Sequence, residues 1–219
     1  MLGNALADNP PTELDILLTH MHLDHVTGLG FFAPVFLNTT IRIWGPRLEG
    51  KSLEENVAAY LSPPLFPLRY EDIPANLQFT EVRDETWAID GLRVTAAPIQ
   101  HPGGALGFRI EEAGRTLVFI PDNELGIDPE AGIELATGAD VLMHDAQFTA
   151  AEYPSKVGWG HSSTSDFATF VRRTEPGRAF MFHHDPEHDD ETLEAMRDGA
   201  TELADREIEL AAEGLTLEI

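Results

Sequence analysis

Three histidines and one aspartate fall within six residues of the sequence, as the pattern H-x-H-x-D-H formed by His20, His22, Asp24 and His25. Imidazole nitrogen and carboxylate oxygen suit zinc, manganese and iron. The pattern follows an apolar run over residues 14–18, and ionisable groups beside buried segments need partners such as a metal. His20 and His22 would share one side of an extended segment, and the chain then turns. This spacing predicts two neighbouring metal positions.

Three further residues follow segments that have the pattern of buried strands, and taken singly each is only a weak candidate for a metal ligand. They are His101 after residues 92–99, Asp122 after residues 116–120 and His183 at the end of residues 179–183. His184 is the adjacent alternative to His183. With the first cluster, these residues offer five imidazoles and two carboxylates, without sulfur, because the chain has no cysteine. These residue types agree with a two-metal site that leaves positions open for water.

A hydrolytic reaction at such a site needs a general acid for the leaving group, since two metals would supply only an activated water. His161 is the candidate, because it lies in a glycine-rich loop that precedes a predicted helix. The alternative is a histidine beside a helix start with only a hydrogen-bonding role. The segment that starts at His144 follows a predicted strand over residues 140–144, and we expect it to support ligating histidines from behind.

Strands and helices must position these side chains. The patterns predict a strand over residues 14–19, a second over 41–45 and then a series of short strands between residues 77 and 120. Asp90-Gly91 and Ala113-Gly114 are typical of hairpin turns. The patterns also predict helices over residues 52–61 with Ser52 as cap, 129–136, 165–173 with Thr164 or Ser165 as cap, and 189–212, before a last strand over 215–219. One domain covering residues 1–219 is the simplest organisation.

The composition restricts the partners. The formal net charge is −24 with 38 acidic residues against 14 basic ones, and such a surface repels nucleic acid. No apolar run is long enough to span a bilayer, and the N-terminus has no basic flank that would indicate a signal peptide. We expect a small-molecule substrate, no nucleic-acid or membrane partner, and a cytoplasmic location.

The motif H-x-H-x-D-H after a buried strand resembles the signature of the metallo-β-lactamase superfamily. The resemblance implies an α/β fold, the four-layer αββα sandwich, with metals at one edge of two sheets. It also implies how the ligands divide: one metal is held by His20, His22 and His101, the other by Asp24, His25 and His183, and Asp122 bridges them. The implied cofactors are two divalent metal ions, zinc first, with manganese or iron as alternatives.

Later motifs resemble the phosphodiesterase branch of that superfamily, which includes the transfer-RNA 3′-processing endonuclease. In that branch a histidine like His161 lies against the scissile phosphate, and we count His161 and Asp24 as the catalytic residues. Only twenty residues separate His101 from Asp122, so the endonuclease's RNA-gripping insertion is missing between them. We therefore expect a dinuclear hydrolase of a small or cyclic phosphodiester that uses a metal-activated hydroxide. The alternatives are a thioester or lactone hydrolase, and a non-catalytic metal or redox sensor.

The start of the chain departs from the superfamily pattern, because only nineteen residues precede His20. The resemblance implies several strands before the motif, so we expect the first strands of the N-terminal sheet to be missing, either because the true start lies upstream or because the protein is an N-terminally truncated form. An exposed sheet edge and apolar face would follow. We accordingly expect poor solubility or a homodimer.

Overall fold

The computed structural model describes residues 2–219 of the chain. Helices and strands alternate along it, so the protein is of the α/β class that the sequence predicts. The chain divides into two compact units, one up to Arg83 and the other from Asp84 to Ile219. In the part of the chain that the structure describes, no helix combines the length and apolar character needed to cross a membrane.

The first unit contains a three-stranded parallel sheet in the order β1-β2-β3. Its strands are β1 (Glu13–Leu17), β2 (Thr40–Pro46) and β3 (Asn76–Val82), and its helices are α1 (Leu2–Ala7), α2 (Leu23–Val26) and α3 (Leu53–Tyr60). Helix α3 begins as predicted, because Ser52 and Glu55 form a reciprocal capping box. Its buried face packs into a core that includes Ile41 and Ile43 of β2.

The second unit contains a seven-stranded mixed sheet in the order β10-β9-β8-β7-β6-β5-β4. The strands are β4 (Glu85–Ile89), β5 (Leu92–Ile99), β6 (Ala105–Glu112), β7 (Arg115–Ile120), β8 (Val141–Asp145), β9 (Arg178–Phe182) and β10 (Glu209–Leu210). The helices are α4 (Ile133–Ala136), α5 (Thr164–Thr174) and α6 (Asp190–Ala204). Their apolar faces share one buried core with β7, β8 and β9, which keeps the sheet in one fixed position relative to these helices.

Both predicted hairpin turns are present. Asp90 and Gly91 have φ values of 47° and 93° between β4 and β5, and Ala113 and Gly114 have 49° and 81° between β6 and β7. Two consecutive positive φ values produce the turn twist that matches paired antiparallel strands. These two turns set the register of the antiparallel half of the sheet.

Five strands of the second sheet run in the same direction, β5 and β7 to β10. Strands β7, β8 and β9 are mutually parallel, and β5 is antiparallel to β6, which is antiparallel to β7. The carboxyl ends of β5, β7, β8 and β9 therefore lie at one edge of the sheet. Side chains that follow these strands are brought together there, as is typical of sites in open α/β sheets.

Several sequence-based boundaries were wrong, and the helix predicted over residues 129–136 begins only at Ile133, as α4. Helix α6 ends at Ala204, not at residue 212, because Asp205 adopts a left-handed conformation with φ 52°. Residues 215–219 do not form a strand, and the pairing with β9 is made by β10 instead. The N-cap of α5 is Ser163, whose side chain accepts a hydrogen bond from the Asp166 backbone amide.

Candidate functional site

The first unit carries the contiguous histidine cluster just after β1. His20 is buried, 1% exposed, and its Nδ1 lies 3.2 Å from the Thr19 hydroxyl. Its ring lies 4.7 Å from that of His22 and 4.1 Å from that of His25, measured between centroids. The turn that was expected after His22 is the start of α2, which places Asp24 and His25 side by side with 3.3 Å between Oδ2 and Nε2.

The second unit carries a cluster around the buried carboxylate of Asp122. Three imidazole nitrogens surround its Oδ2: Nε2 of His101 at 3.8 Å, Nδ1 of His161 at 3.9 Å and Nε2 of His183 at 3.7 Å. His101, Asp122 and His183 follow β5, β7 and β9, whose carboxyl ends share one edge of the sheet. His161 comes from the loop that connects β8 with α5.

This second cluster has the chemistry and spacing of a metal site. Donor atoms, one each from Asp122, His161 and His183, lie within 4.8 Å of one another. Because Nδ1 of His161 is hydrogen-bonded to Asp145, His101 and His183 are the imidazoles left to bind an ion beside Asp122. Two ligands bound tetrahedrally to zinc at about 2.0–2.1 Å are roughly 3.4 Å apart, close to the nitrogen-to-oxygen distances around Asp122. Nitrogen and oxygen donors without sulfur suit zinc, manganese or iron. The residues present therefore fit a divalent ion.

The orientation of His101 is fixed by the backbone of Gly160. The Nδ1 of His101 lies 2.9 Å from the Gly160 carbonyl oxygen, and because a carbonyl only accepts, Nδ1 carries the proton. The Nε2 atom, which faces Asp122, is then the one that can bind a metal. Gly160 has φ 97°, and a Cβ there would lie 2.2 Å from His101 Nδ1, so only glycine fits this contact.

His161 is held by a buried carboxylate at the end of β8. Its Nδ1 donates to Oδ2 of Asp145 at 2.9 Å, and Asp145 also accepts from the backbone amides of Asn123 and Gln147. Burial raises the pKa of Asp145, and the hydrogen bond from His161 opposes that rise. The arrangement fixes the orientation and tautomer of His161, as expected of a histidine that transfers protons.

His144 supports this dyad from within the core and takes no part in the cluster. It is completely buried, its Nδ1 donates to the Asp145 carbonyl at 2.7 Å and its Nε2 lies 3.2 Å from the Asn123 amide nitrogen. Burial lowers the pKa of His144 to about 4. The ring is therefore neutral at pH 7, and it helps to position the residues on either side of Asp122 and His161.

Glu124 is a buried residue that the sequence did not single out. Its carboxylate, 0% exposed, accepts from the Gly158 amide at 2.6 Å, the Gly160 amide at 2.7 Å and the Tyr153 hydroxyl at 3.0 Å. Burial, followed by this hydrogen bond to Glu124, raises the pKa of Tyr153. Glu124 thus fixes the loop that supplies both His161 and the carbonyl that orients His101. Its position two residues after Asp122 was the available signal.

The side chains of His183 and His184, just after the end of β9, point in different directions. His183 has φ 56°, a left-handed conformation that few residues other than glycine adopt, and its Nε2 faces Asp122. His184 turns away, with its Nε2 3.2 Å from the Ala211 carbonyl oxygen. The strained backbone at His183 is what directs one imidazole to the cluster and its neighbour toward β10.

Known proteins share both the sequence pattern and the fold. Residues 4–184 match the family model described as the β-lactamase superfamily domain. Ribonuclease BN of Shigella boydii serotype 18 is 28% identical over 233 residues, covering 82% of this chain and 73% of that protein. The metallo-β-lactamase fold protein YhfI from Bacillus subtilis superposes with a TM-score of 0.70 at 18% identity, covering 92% of this chain and 75% of YhfI. A diphosphatase from the PhnP family superposes with a TM-score of 0.68 at 17% identity, covering 99% and 76%.

Proposed function

Because this chain belongs to the metallo-β-lactamase superfamily of metal-dependent hydrolases, we propose that it hydrolyses a small or cyclic phosphodiester. The observation that carries the proposal is the His161–Asp145 pair beside Asp122. A carboxylate-oriented imidazole next to a metal-binding carboxylate supplies the proton donor that expulsion of an alkoxide requires. The family establishes hydrolysis and metal binding, and the phosphodiester is our assignment.

Each part of the second cluster has a role in this proposal. When bound, divalent ions would lower the pKa of a water and stabilise negative charge on the phosphate oxygens. His161, held at Nδ1 by Asp145, would pass the proton on Nε2 to the leaving oxygen. Asp145 would stabilise the imidazolium before that transfer, and His144 would keep Asp145 in place.

We propose two ions, with zinc as the first candidate. Asp122, His101 and His183 have the positions and donor atoms for such ions within the second unit. His20, His22, Asp24 and His25 supply the same donor types in the first unit. The division of these seven ligands between two metals, and the catalytic part given to Asp24, remain predictions from the resemblance.

A small substrate is favoured over RNA, although curated relatives of this chain are ribonucleases by name. The link from His101 to Asp122 consists only of strands β6 and β7 with their turn, and a chain with net charge −24 attracts polyanions weakly. The cytoplasmic location stays a prediction from the sequence.

The test is hydrolysis by the purified chain loaded with zinc or manganese. We expect turnover of bis-p-nitrophenyl phosphate and of cyclic nucleotides, and loss of that activity with a chelator. His161→Ala should lower kcat on cyclic nucleotides, whose leaving group is an alkoxide, by about 10²- to 10⁴-fold, the usual contribution of a general acid, and should affect bis-p-nitrophenyl phosphate much less, because p-nitrophenolate leaves without a proton. His184→Ala is the matched control, since His184 adjoins the cluster and points elsewhere.

Three outcomes would contradict the proposal. One is faster turnover of a thioester or lactone that is insensitive to His161→Ala, which would indicate the other hydrolase class. Another is cleavage of precursor transfer RNA with no activity on small phosphodiesters. The third is a fully metal-loaded protein without any turnover, as expected of a sensor.

A further inference from the structure

An exposed tryptophan lies two residues before the candidate general acid. Trp159 is 59% exposed, and the Nζ of Lys156 lies 4.0 Å from the centroid of its ring. We call these two side chains the Lys156–Trp159 platform. An ammonium over an aromatic face is a favourable contact, but it leaves most of the indole in water, which is costly for so large an apolar group.

The backbone on both sides of Trp159 is held in place by hydrogen bonds. The amides of Gly158 and Gly160, one on each side of Trp159, both donate to the buried carboxylate of Glu124. These two charge-assisted hydrogen bonds fix the backbone that carries the indole. A pre-organised backbone lowers the entropic cost of stacking a second ring on the indole.

Lys156 differs from the arginines of the second unit in what it contacts. Arg173, Arg178 and Arg197 each lie 2.7 Å from a carboxylate oxygen, whereas Lys156 contacts two rings, the indole and Phe148 at 5.4 Å. It is one of only two lysines in a chain of net charge −24. A positive charge that is not compensated by an adjacent carboxylate is suited to an anionic ligand.

The platform is connected to the candidate cluster by direct contacts. The Phe148 ring that Lys156 approaches lies edge-on to His161, with 6.0 Å between centroids. Gly160, the residue after Trp159, accepts the hydrogen bond of His101. The platform and the Asp122 cluster therefore share one loop and one aromatic contact.

We propose that the Lys156–Trp159 platform binds the substrate, with the indole stacking on a planar ring attached to the phosphodiester and the ammonium attracting the phosphate. This inference rests on the proposed function and narrows it to nucleoside or other aryl-bearing phosphodiesters. Stacking of a base on an aromatic side chain tolerates different bases, because every base has a π face. The platform would therefore favour esters that carry a planar ring and would not distinguish one base from another.

The experiment compares two esters that release the same p-nitrophenolate, thymidine 5′-(p-nitrophenyl phosphate) and methyl p-nitrophenyl phosphate. We expect Trp159→Ala to lower kcat/KM for the thymidine ester by roughly tenfold or more, from the loss of one stacked base, and to leave the methyl ester nearly unchanged. Trp159→Phe should retain most of the preference. Val157→Ala, another exposed residue of this loop, is the matched control.

Lys156→Gln tests the charge separately. This variant should lower kcat/KM for both esters by a similar factor. Added salt should diminish the effect, because exposed charges are screened. Lys156→Arg should retain most of the wild-type activity. A Lys156→Gln effect that is confined to the thymidine ester would overturn the assignment of the ammonium to the phosphate.

Binding measured by calorimetry on chelator-treated protein separates this inference from the proposed function. Tighter binding of the thymidine ester than of the methyl ester, lost in Trp159→Ala and kept in Val157→Ala, supports the platform even if neither ester is hydrolysed. Two results would overturn the assignment of the platform to substrate binding and leave the proposed function unaffected. One is hydrolysis of both esters with the same change in kcat/KM in Trp159→Ala, and the other is equal affinity for the two esters in all variants.

Discussion

The two units present their histidines and aspartates in opposite ways. In the first unit, the cluster comes from six consecutive positions and consists of His20, His22, Asp24 and His25. The Asp24 side chain is 63% exposed. In the second, the cluster is collected from positions 101 to 183, and it surrounds a carboxylate that is 2% exposed. A contiguous cluster needs one strand and one helical turn to form, whereas a dispersed cluster needs a sheet edge and buried hydrogen bonds to hold it. We expect the second cluster to be less tolerant of change.

The largest effect should come from Asp122→Ala. We expect kcat/KM on bis-p-nitrophenyl phosphate to fall by more than about 100-fold, because three imidazoles lose the carboxylate on which they converge. His22→Ala removes a more exposed ligand and should cost about tenfold. Metal content per chain, measured by mass spectrometry, should follow the same order. Asp128→Ala, an exposed carboxylate of the same loop, serves as control. Equal losses from Asp122→Ala and His22→Ala would remove the contrast between the clusters.

The next effect should come from Glu124→Gln. An amide in place of the carboxylate cannot accept from the Gly158 and Gly160 amides equally well, so the loop loses its fixed position. We expect kcat/KM to fall by about 10- to 100-fold, the usual range for a residue that orients a ligand. Glu130→Gln, which alters an exposed ion pair with Arg173, is the control and should leave kcat/KM nearly unchanged. An active Glu124→Gln enzyme would show that the loop needs no such support.

The support of the second cluster should also depend on pH through His144. Burial lowers the pKa of His144 from 6.5 to about 4 in the folded chain. Between these values the unfolded chain binds the proton and the folded chain does not, so the free energy of unfolding falls as the pH falls through this window. From pH 7 to pH 5 the expected loss is about 2 kcal/mol.

Urea unfolding of chelator-treated protein at each pH measures this loss. His144→Asn should be less stable than the wild type at pH 7, and its free energy of unfolding should depend less steeply on pH. The same slope in wild type and variant would assign the acid sensitivity to another group.

The smallest effects concern the two helix caps. Ser52→Ala removes the cap of α3 in the first unit and should lower the free energy of unfolding by about 1 kcal/mol. Ser163 caps α5 from a buried position and also contacts Ser165, so Ser163→Ala should cost about 2 kcal/mol. Urea unfolding of both variants tests the order. A larger loss for Ser52→Ala would mean that the first unit is the more sensitive to local change.

Sequence reasoning identified the fold and the side chains with distinctive chemistry. The H-x-H-x-D-H pattern is local, and the strand ends before His101, Asp122 and His183 follow from apolar runs and turn residues. Glu124 was missed because a glutamate in a loop is ordinarily solvated, and only long-range contacts bury it. Helix α6 was predicted too long because the left-handed stop at Asp205 carries no glycine. Such features depend on the assembled sheet, which one-dimensional patterns do not encode.

The hydrogen bonds of Glu124 have a consequence for how the loop moves. Gly158 is exposed, yet its amide is bonded to a carboxylate inside the second unit. In hydrogen–deuterium exchange, the Gly158 and Gly160 amides should therefore exchange slowly, at rates closer to those of the sheet than to those of a surface loop. The loop would behave as a rigid rim that opens only when the surrounding structure opens.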